Sequence, residues 1–377
     1  MDIGRKKIII FCQSYGEIEN CLYLVKKNHA YNNSITVVIP GNQDLFIFLK
    51  KINQRIFSNT IDLIFFRLFK SAPANRKGLT IKWTLRYFAD AIKEKTYNRK
   101  IYNRYLNHLK YAEIYFFTRS FVPYNLYFLK KLRKNNKLIY MHISGTSKGY
   151  GEGISKCSPH NILDILNLLR LKFLYGNDII MAKLPHIKFA YISDNFMKIE
   201  IDRIIAKEES SELLQNFDYN EFKIFDTGNY SVIYFDQSLS DRDYILDINV
   251  FRKELNAVFD ILKKYFSENE IAIKYHPGYA GNKTWIKTGV VLDTFIPAEL
   301  LYSDNVKMYL AIASYSIANV RQGLAVSLLD LISFRDNDTR EKLRKSLIAK
   351  SHSNILFPRS LEEFENIVIP IHLQKQT

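Results

Sequence analysis

The chain has 377 residues, too long for one ordinary hydrophobic core and short for three, so two domains of roughly 150–200 residues are expected. With 47% hydrophobic and 24% charged residues, 14 Gly, 9 Pro and no biased tract, it is not collagenous, low-complexity or largely disordered. Against 38 Asp and Glu stand 54 Lys and Arg, a net charge of +16, which selects an anionic partner: nucleic acid, an anionic membrane surface or a phosphorylated substrate.

The N-terminal segment MDIGRKKIIIFCQSYGE has a basic start and a short apolar run, but it turns polar without a small-residue cleavage site. Residues 7–12 therefore read as a first strand, a continuous apolar run of the kind buried on both faces of a parallel sheet. It empties into the polar turn Gln13-Ser14-Tyr15-Gly16, and a helix is expected through residues 22–27. A strand at 35–39, closed by Pro40-Gly41, and a helix at 45–52 continue the alternation that marks a doubly wound α/β domain. Further strands are expected at 61–66, 112–117 and 137–143. Between Phe65 and Lys110 lies a basic, aromatic stretch. As a helix it sets Trp83, Tyr87, Phe88 and Ile92 on one face, which suits either an element lying in a membrane interface or a solvated helix packed on the domain. His142, in a strand, and His160, after Pro159, read as structural.

Near Phe222 the pattern restarts. A strand at 231–235 runs into Gln237-Ser238, as the opening strand ran into Gln13-Ser14, so a second domain is expected to begin between residues 215 and 228, giving domains of 1–222 and 223–377. A helix at 249–266 and a strand at 270–275 follow, and that strand ends directly in His276-Pro277-Gly278.

In an open α/β sheet the ligand crevice lies outside the carboxyl ends of the strands, where His276 falls. Pro277 holds the residue before it extended, which fixes the imidazole's direction, and imidazole is the side chain whose ordinary pKa suits proton donation to a leaving phosphate. Downstream, Pro297-Ala298-Glu299-Leu300-Leu301 offers a carboxylate able to accept from both ribose hydroxyls. A strand at 310–313 then leads into Ser314-Tyr315-Ser316, whose hydroxyls and backbone N–H groups suit a phosphate.

The ordered set YHP, IPAELL and IASYS resembles the bacterial sialyltransferases that build lipooligosaccharide and polysialic acid capsules, and the strand VIYFDQSLS resembles the opening strand of their second domain. The likeness covers mainly residues 137–200 and 226–325. It implies the GT-B architecture, two Rossmann-like domains facing one another across a cleft, and CMP-sialic acid as donor with no obligatory metal or other cofactor. It also implies a glycan or glycolipid acceptor, while the cysteine content and the positive charge lead to the expectation of a cytoplasmic protein with peripheral contact on an anionic inner membrane face. The family's acidic-acidic-Gly triplet is matched best by Tyr150-Gly151-Glu152-Gly153, with Gly151 in place of the first acid. A second register, Ile143-Ser144-Gly145-Thr146, leaves no acid. The first is preferred because a predicted helix and a strand at 189–192 continue the family's order after it. By resemblance Glu152 is the base that deprotonates the acceptor, His276 and Pro277 serve the leaving phosphate, Ser314 and Ser316 hold it, and Glu299 holds the ribose. Lys274 or Lys283 is placed to meet the donor sugar's carboxylate. The alternatives are a CMP-Kdo or CDP-polyol-phosphate transferase using the same His-Pro site, a related protein without catalysis, and, on charge alone, a basic nucleic-acid-binding protein.

The three cysteines, Cys12, Cys21 and Cys157, lack CxxC spacing and are odd in number, which argues against a disulfide framework or zinc site and for a reducing compartment. No stretch reaches the roughly 18 apolar residues of a spanning helix.

Overall fold

Ile8, Ile9, Ile10 and Phe11 are all buried, as a central strand with both faces covered requires, and they form β1 (Lys7–Phe11). The computed structural model describes residues 5–69, 81–117, 123–142, 155–176, 179–184, 187–193, 201–215, 217, 220–222, 230–236, 244–276, 286, 288–301, 305–320, 322–351 and 354–373. The chain divides into two compact units, Met1–Asp218 and Tyr219–Thr377.

In the first unit β1 is followed by α1 (Ile18–Ala30), β2 (Ser34–Pro40), α2 (Gln43–Ile56), β3 (Asp62–Phe66), α3 (Ile81–Ile101), β4 (Ala112–Phe116), α4 (Pro123–Leu132) and β5 (Lys137–Met141). The strands at 35–39, 61–66, 112–117 and 137–143 and the two helices are thus where the apolar pattern puts them. Then come β6 (Ser155–Lys156), α5 (Ile162–Tyr175), β7 (Ile179–Leu184), β8 (Ile187–Ser193), β9 (Arg203–Ile205) and α6 (Lys207–Gln215). The six-stranded sheet runs β3-β2-β1-β4-β5-β9, parallel throughout.

The strand expected at 189–192 exists as β8 but stands outside this sheet. It pairs antiparallel with β7, which pairs antiparallel with β6. A link of two residues between β7 and β8 permits a hairpin and is far too short for a parallel crossover. The sixth place in the main sheet goes to β9, three residues that carry no strand pattern of their own.

α3 and α5 are joined by a polar seam. Arg170 donates to Glu94 at 2.8 Å, the Tyr175 hydroxyl donates to the other Glu94 oxygen at 2.6 Å, and the Arg170 guanidinium lies 4.3 Å from the Tyr87 ring centroid. Tyr87 also bonds Asn167, and Asn98 reaches Tyr175. The face of α3 turned to the protein is therefore Tyr87, Ala91, Glu94 and Asn98, at helical spacing. Ile92, expected on the same face as Tyr87, is 58% exposed, because a five-residue separation turns it well away from Tyr87.

The second unit contains β10 (Val232–Phe235), α7 (Ile248–Tyr265), β11 (Ile271–Lys274), β12 (Val290–Val291), β13 (Met308–Ala311), β14 (Leu324–Ser327), α8 (Asn337–Lys350), β15 (Ile355–Leu356) and α9 (Leu361–Leu373). Its sheet, β12-β11-β10-β13-β14-β15, is also parallel throughout. α7 starts where Asp247 accepts from the N–H groups of Asn249 and Val250 at 2.6 and 3.2 Å. It buries Phe251, Leu255, Val258, Phe259 and Leu262, one helical stripe, against the sheet. The chain is thus an α/β protein of two Rossmann-like units, each sheet wound from its first strand outward in two directions.

Two turns require glycine. Gly289 (φ 98°) and Gly323 (φ 80°) lead into β12 and β14, and a Cβ on either would lie 2.7 Å from a backbone oxygen, of Ile271 and Val306 respectively. Gly289→Ala and Gly323→Ala are each expected to cost roughly 1–3 kcal/mol, read from the urea midpoint. Arg170→Met should cost about 3–5 kcal/mol by stranding Glu94, and the double variant Arg170→Met/Glu94→Leu should recover most of it.

Candidate functional site

Strand order reverses in the second sheet between β10 and β13, and ligands of such sheets bind outside the carboxyl ends of the strands at that point. The register fixes what emerges there. Phe235 is level with Lys274 on one side and Ala311 on the other, so Asp236, Tyr275 and Ile312 are the next residues out. His276 follows on the β11 side and Ser314 on the β13 side. Two separate sequence motifs are brought to one edge by strand pairing.

His276 is exposed directly beyond β11. Pro277 lies outside the described residues, as does Lys283. Lys274, expected to meet a ligand carboxylate, is buried at 4% exposure, and its ammonium donates to the backbone oxygens of Tyr275 at 2.9 Å and Thr294 at 3.2 Å. Its charge is satisfied inside the fold, where it ties the end of β11 to the segment after β12. That segment leads through Pro297 into the 3₁₀ turn Ala298–Leu300. The backbone of Glu299 belongs to this turn, and its side chain lies outside the described residues.

On the other side Ser314 caps the 3₁₀ turn Tyr315–Asn319, accepting from the Ser316 N–H at 3.3 Å and donating to the Ser316 hydroxyl at 3.1 Å. The turn is held from beneath, since the buried Ser327 hydroxyl donates to the Ile312 oxygen at 2.6 Å and Leu328 N–H donates to the Ala311 oxygen at 2.8 Å. It is held from the side by the Tyr315 and Ser346 hydroxyls, 2.7 Å apart. The Tyr315–Asn319 turn also packs on the Ala298–Leu300 turn, so the two downstream motifs are neighbours. Both serines are partly exposed, which leaves a hydroxyl pair on a firmly held turn beside the sheet edge.

Asp236 is the residue that sequence reasoning passed over. It is buried at the tip of β10, its N–H donates to the Lys274 oxygen at 2.9 Å, and its carboxylate accepts from the Tyr234 hydroxyl at 3.5 Å. Burial first, and then the Asp236 charge, push the Tyr234 and Tyr275 hydroxyls above the usual tyrosine range, so both stay protonated beside the carboxylate. The available signal was a lone Asp ending an unbroken apolar run.

The carboxyl edge of the first sheet is organised by Glu17. This buried carboxylate accepts from the N–H groups of Gln13 at 2.7 Å and Ser14 at 3.1 Å, closing a capping box with Ser14. Asn42 adds a bond to the Gln13 oxygen at 3.1 Å. The turn after β1 is thus rigid, and the spacing of Ser14 and Glu17 signals it. Glu152, Gly151 and the alternative register at 143–146 lie outside the described residues. His142 is buried, its N–H donates to the Ile205 oxygen at 3.1 Å, and its own oxygen accepts from Asn20 and Ser210. The His160 N–H donates to Asp164 at 3.0 Å at the start of α5. Both histidines serve the backbone.

Among the described residues no group of three or more His, Cys, Asp or Glu could hold a metal ion, and no helix is long and apolar enough to cross a membrane. The chain matches neither a protein-family model nor a curated protein sequence. Among solved structures it is similar to Arabidopsis thaliana UGT89C1 complexed with quercetin, at 10% identity and a TM-score of 0.42, covering 98% of this chain and 90% of that one. It is also similar to TcCGT1 in complex with UDP, at 11% identity and a TM-score of 0.43, covering 97% and 90%. A third is Phytolacca americana UGT2 complexed with UDP-2fluoro-glucose and pterostilbene, at 11% identity and a TM-score of 0.39, covering 98% and 90%.

Proposed function

We propose that the protein is a glycosyltransferase of the GT-B kind that takes a nucleotide-activated sugar, and that the sugar is sialic acid delivered from CMP-sialic acid to a bacterial surface glycan. The observation that carries this reading is the convergence of His276 and the Ser314–Ser316 hydroxyls on the carboxyl edge around the β10/β13 reversal, with the Ala298–Leu300 turn packed against the serine turn. That edge suits a nucleotide with one phosphate. The Ser316 hydroxyl, held by its bond from Ser314, donates to the phosphate, the His276 imidazole neutralises it as it leaves, and the Glu299 carboxylate accepts from the ribose hydroxyls. The choice of CMP-sialic acid rests on the ordered motifs HP, PAELL and SYS.

Transfer inverts the anomeric carbon. The acceptor hydroxyl loses its proton to Glu152 as its oxygen bonds that carbon, and the carbon–phosphate oxygen bond breaks on the opposite face to release CMP. Pro277 holds His276 extended toward the phosphate. Lys274 has a positioning role, since its ammonium joins the β11 end to the segment that carries Glu299.

The test is donor turnover by the full chain with CMP-sialic acid, CMP-Kdo, a CDP-polyol and UDP-glucose. CMP-sialic acid is the expected substrate, and preference for any other donor overturns the sialyl reading. His276→Ala should lower turnover at least about 100-fold with an unchanged thermal unfolding profile. Wild-type rates in that variant would remove His276 from the mechanism, and wild-type rates in Glu152→Gln would remove Glu152. Lys274→Met, by contrast, should lose roughly 2 kcal/mol of stability, because two partly buried carbonyls lose their donor.

A further inference from the structure

Among the described residues, the polar contacts of α5 with the protein lie along one side. Asp164, Arg170 and Leu174 are buried, and Asn167, Arg170 and Tyr175 bond α3. The opposite side shows Ile162, Ile165, Leu169 and Phe173, each between 45% and 61% exposed. Spaced by three, four and four residues, they fall within an arc of about 80°. Single exposed apolar residues are ordinary, but a helix-long stripe of four marks a contact surface.

The stripe ends in a basic hollow of about 440 Å³ at the carboxyl end of α5. Lys95 of α3, Lys130 and Lys131 of α4, Lys134 just beyond it, and Lys172 of α5 all line it, and none of its lining residues is acidic. Phe173 belongs to both features, because the Lys95 ammonium lies 4.4 Å from its ring centroid and donates to its backbone oxygen at 3.1 Å. The hollow and the stripe are therefore one continuous surface, apolar along the helix and cationic at its end. Of the two readings of α3, an interfacial element or a helix packed on the domain, the inward Tyr87 fits the second.

We propose that this surface docks the protein on an anionic lipid bilayer, with α5 in the plane of the interface, its stripe among the upper acyl carbons and the five lysines on headgroup phosphates. The charge complementarity selects the occupant. A second copy of the chain would bring five more lysines to the same place or leave them bare, and a soluble polyanion would use the hollow without the stripe. An anionic bilayer satisfies both at once. The inference is independent of the donor sugar.

The full chain is sedimented with vesicles of phosphatidylcholine alone and of phosphatidylcholine mixed equally with phosphatidylglycerol. Binding is expected on the anionic vesicles, at least tenfold weaker on the neutral ones and weakened by added salt. Ile165→Ser/Leu169→Ser and, separately, Lys131→Glu/Lys134→Glu/Lys172→Glu should each reduce it at least tenfold. The charge variant leaves the helix's apolar residues untouched and so keeps the test valid if the serine variant folds poorly. Equal binding to both vesicles, no binding, or binding insensitive to either variant overturns the proposal. So does a serine variant that binds normally while heparin binding is lost in the lysine variant, which would assign the hollow to a soluble polyanion. A protein that is dimeric in solution and becomes monomeric in the serine variant would assign the stripe to a second copy.

Discussion

Parallel pairing of β10 with β11 on one side and β13 on the other is the constraint on which the candidate site depends. Parallel neighbours must end at the same edge, and each return crosses a face of the sheet, so the loops after β10, β11 and β13 are gathered at the carboxyl side whatever their distance in sequence. Asp236, His276 and Ser314 come from a span of nearly 80 residues. No local preference joins them. Hydrogen-bond register does, with Phe235 level with both Lys274 and Ala311.

That edge is kept in shape by polar groups turned inward. Lys274 spans from its own strand to Thr294, Ser327 bonds Ile312 beneath the serine turn, and Asp236 is shielded by Tyr234. Each group is buried and partnered, as burial of a charge or hydroxyl requires. In the first unit Glu17 does the same for the turn after β1, where two N–H groups at a strand end would otherwise lack acceptors. Buried polar side chains thus fix the loops that the sheets only gather.

The same principle shapes the outer surface of the first unit. Arg170, Glu94, Tyr87 and Tyr175 fill the space between α3 and α5 with an ion pair, a hydroxyl bond and a cation–ring contact. Burial raises the Tyr175 hydroxyl far above its usual pKa, and the neighbouring Glu94 charge adds to this, so it remains a donor to Glu94. A polar seam on the inner side of α5 accompanies an exposed apolar stripe, Ile162, Ile165, Leu169 and Phe173, on the other side. The overall positive charge of the chain then acquires a place, in the lysines around the carboxyl end of α5.

By itself the sequence located the central strands of both sheets, because a strand buried on both faces needs a nearly unbroken apolar run and residues 8–12, 35–39 and 232–235 each supply one. It also gave the order of the His276, Glu299 and Ser314–Ser316 motifs, and the capping-box spacing of Ser14 and Glu17 was there to be read. Tertiary structure alone decided the rest. Periodicity finds a helix's apolar stripe but not whether that stripe meets the protein or the solvent, so the inward turn of Tyr87 on α3 and the exposed stripe on α5 came only with packing. A three-residue strand such as β9 has no pattern until β5 offers it an edge, and β8 pairs with β7 because the link between them is short. Lys274 looks like any lysine at a strand end, and only the approach of Thr294, 20 residues on, makes it an internal fastening. Local sequence sets which elements form. Which side chains lose contact with water is set by what packs against them.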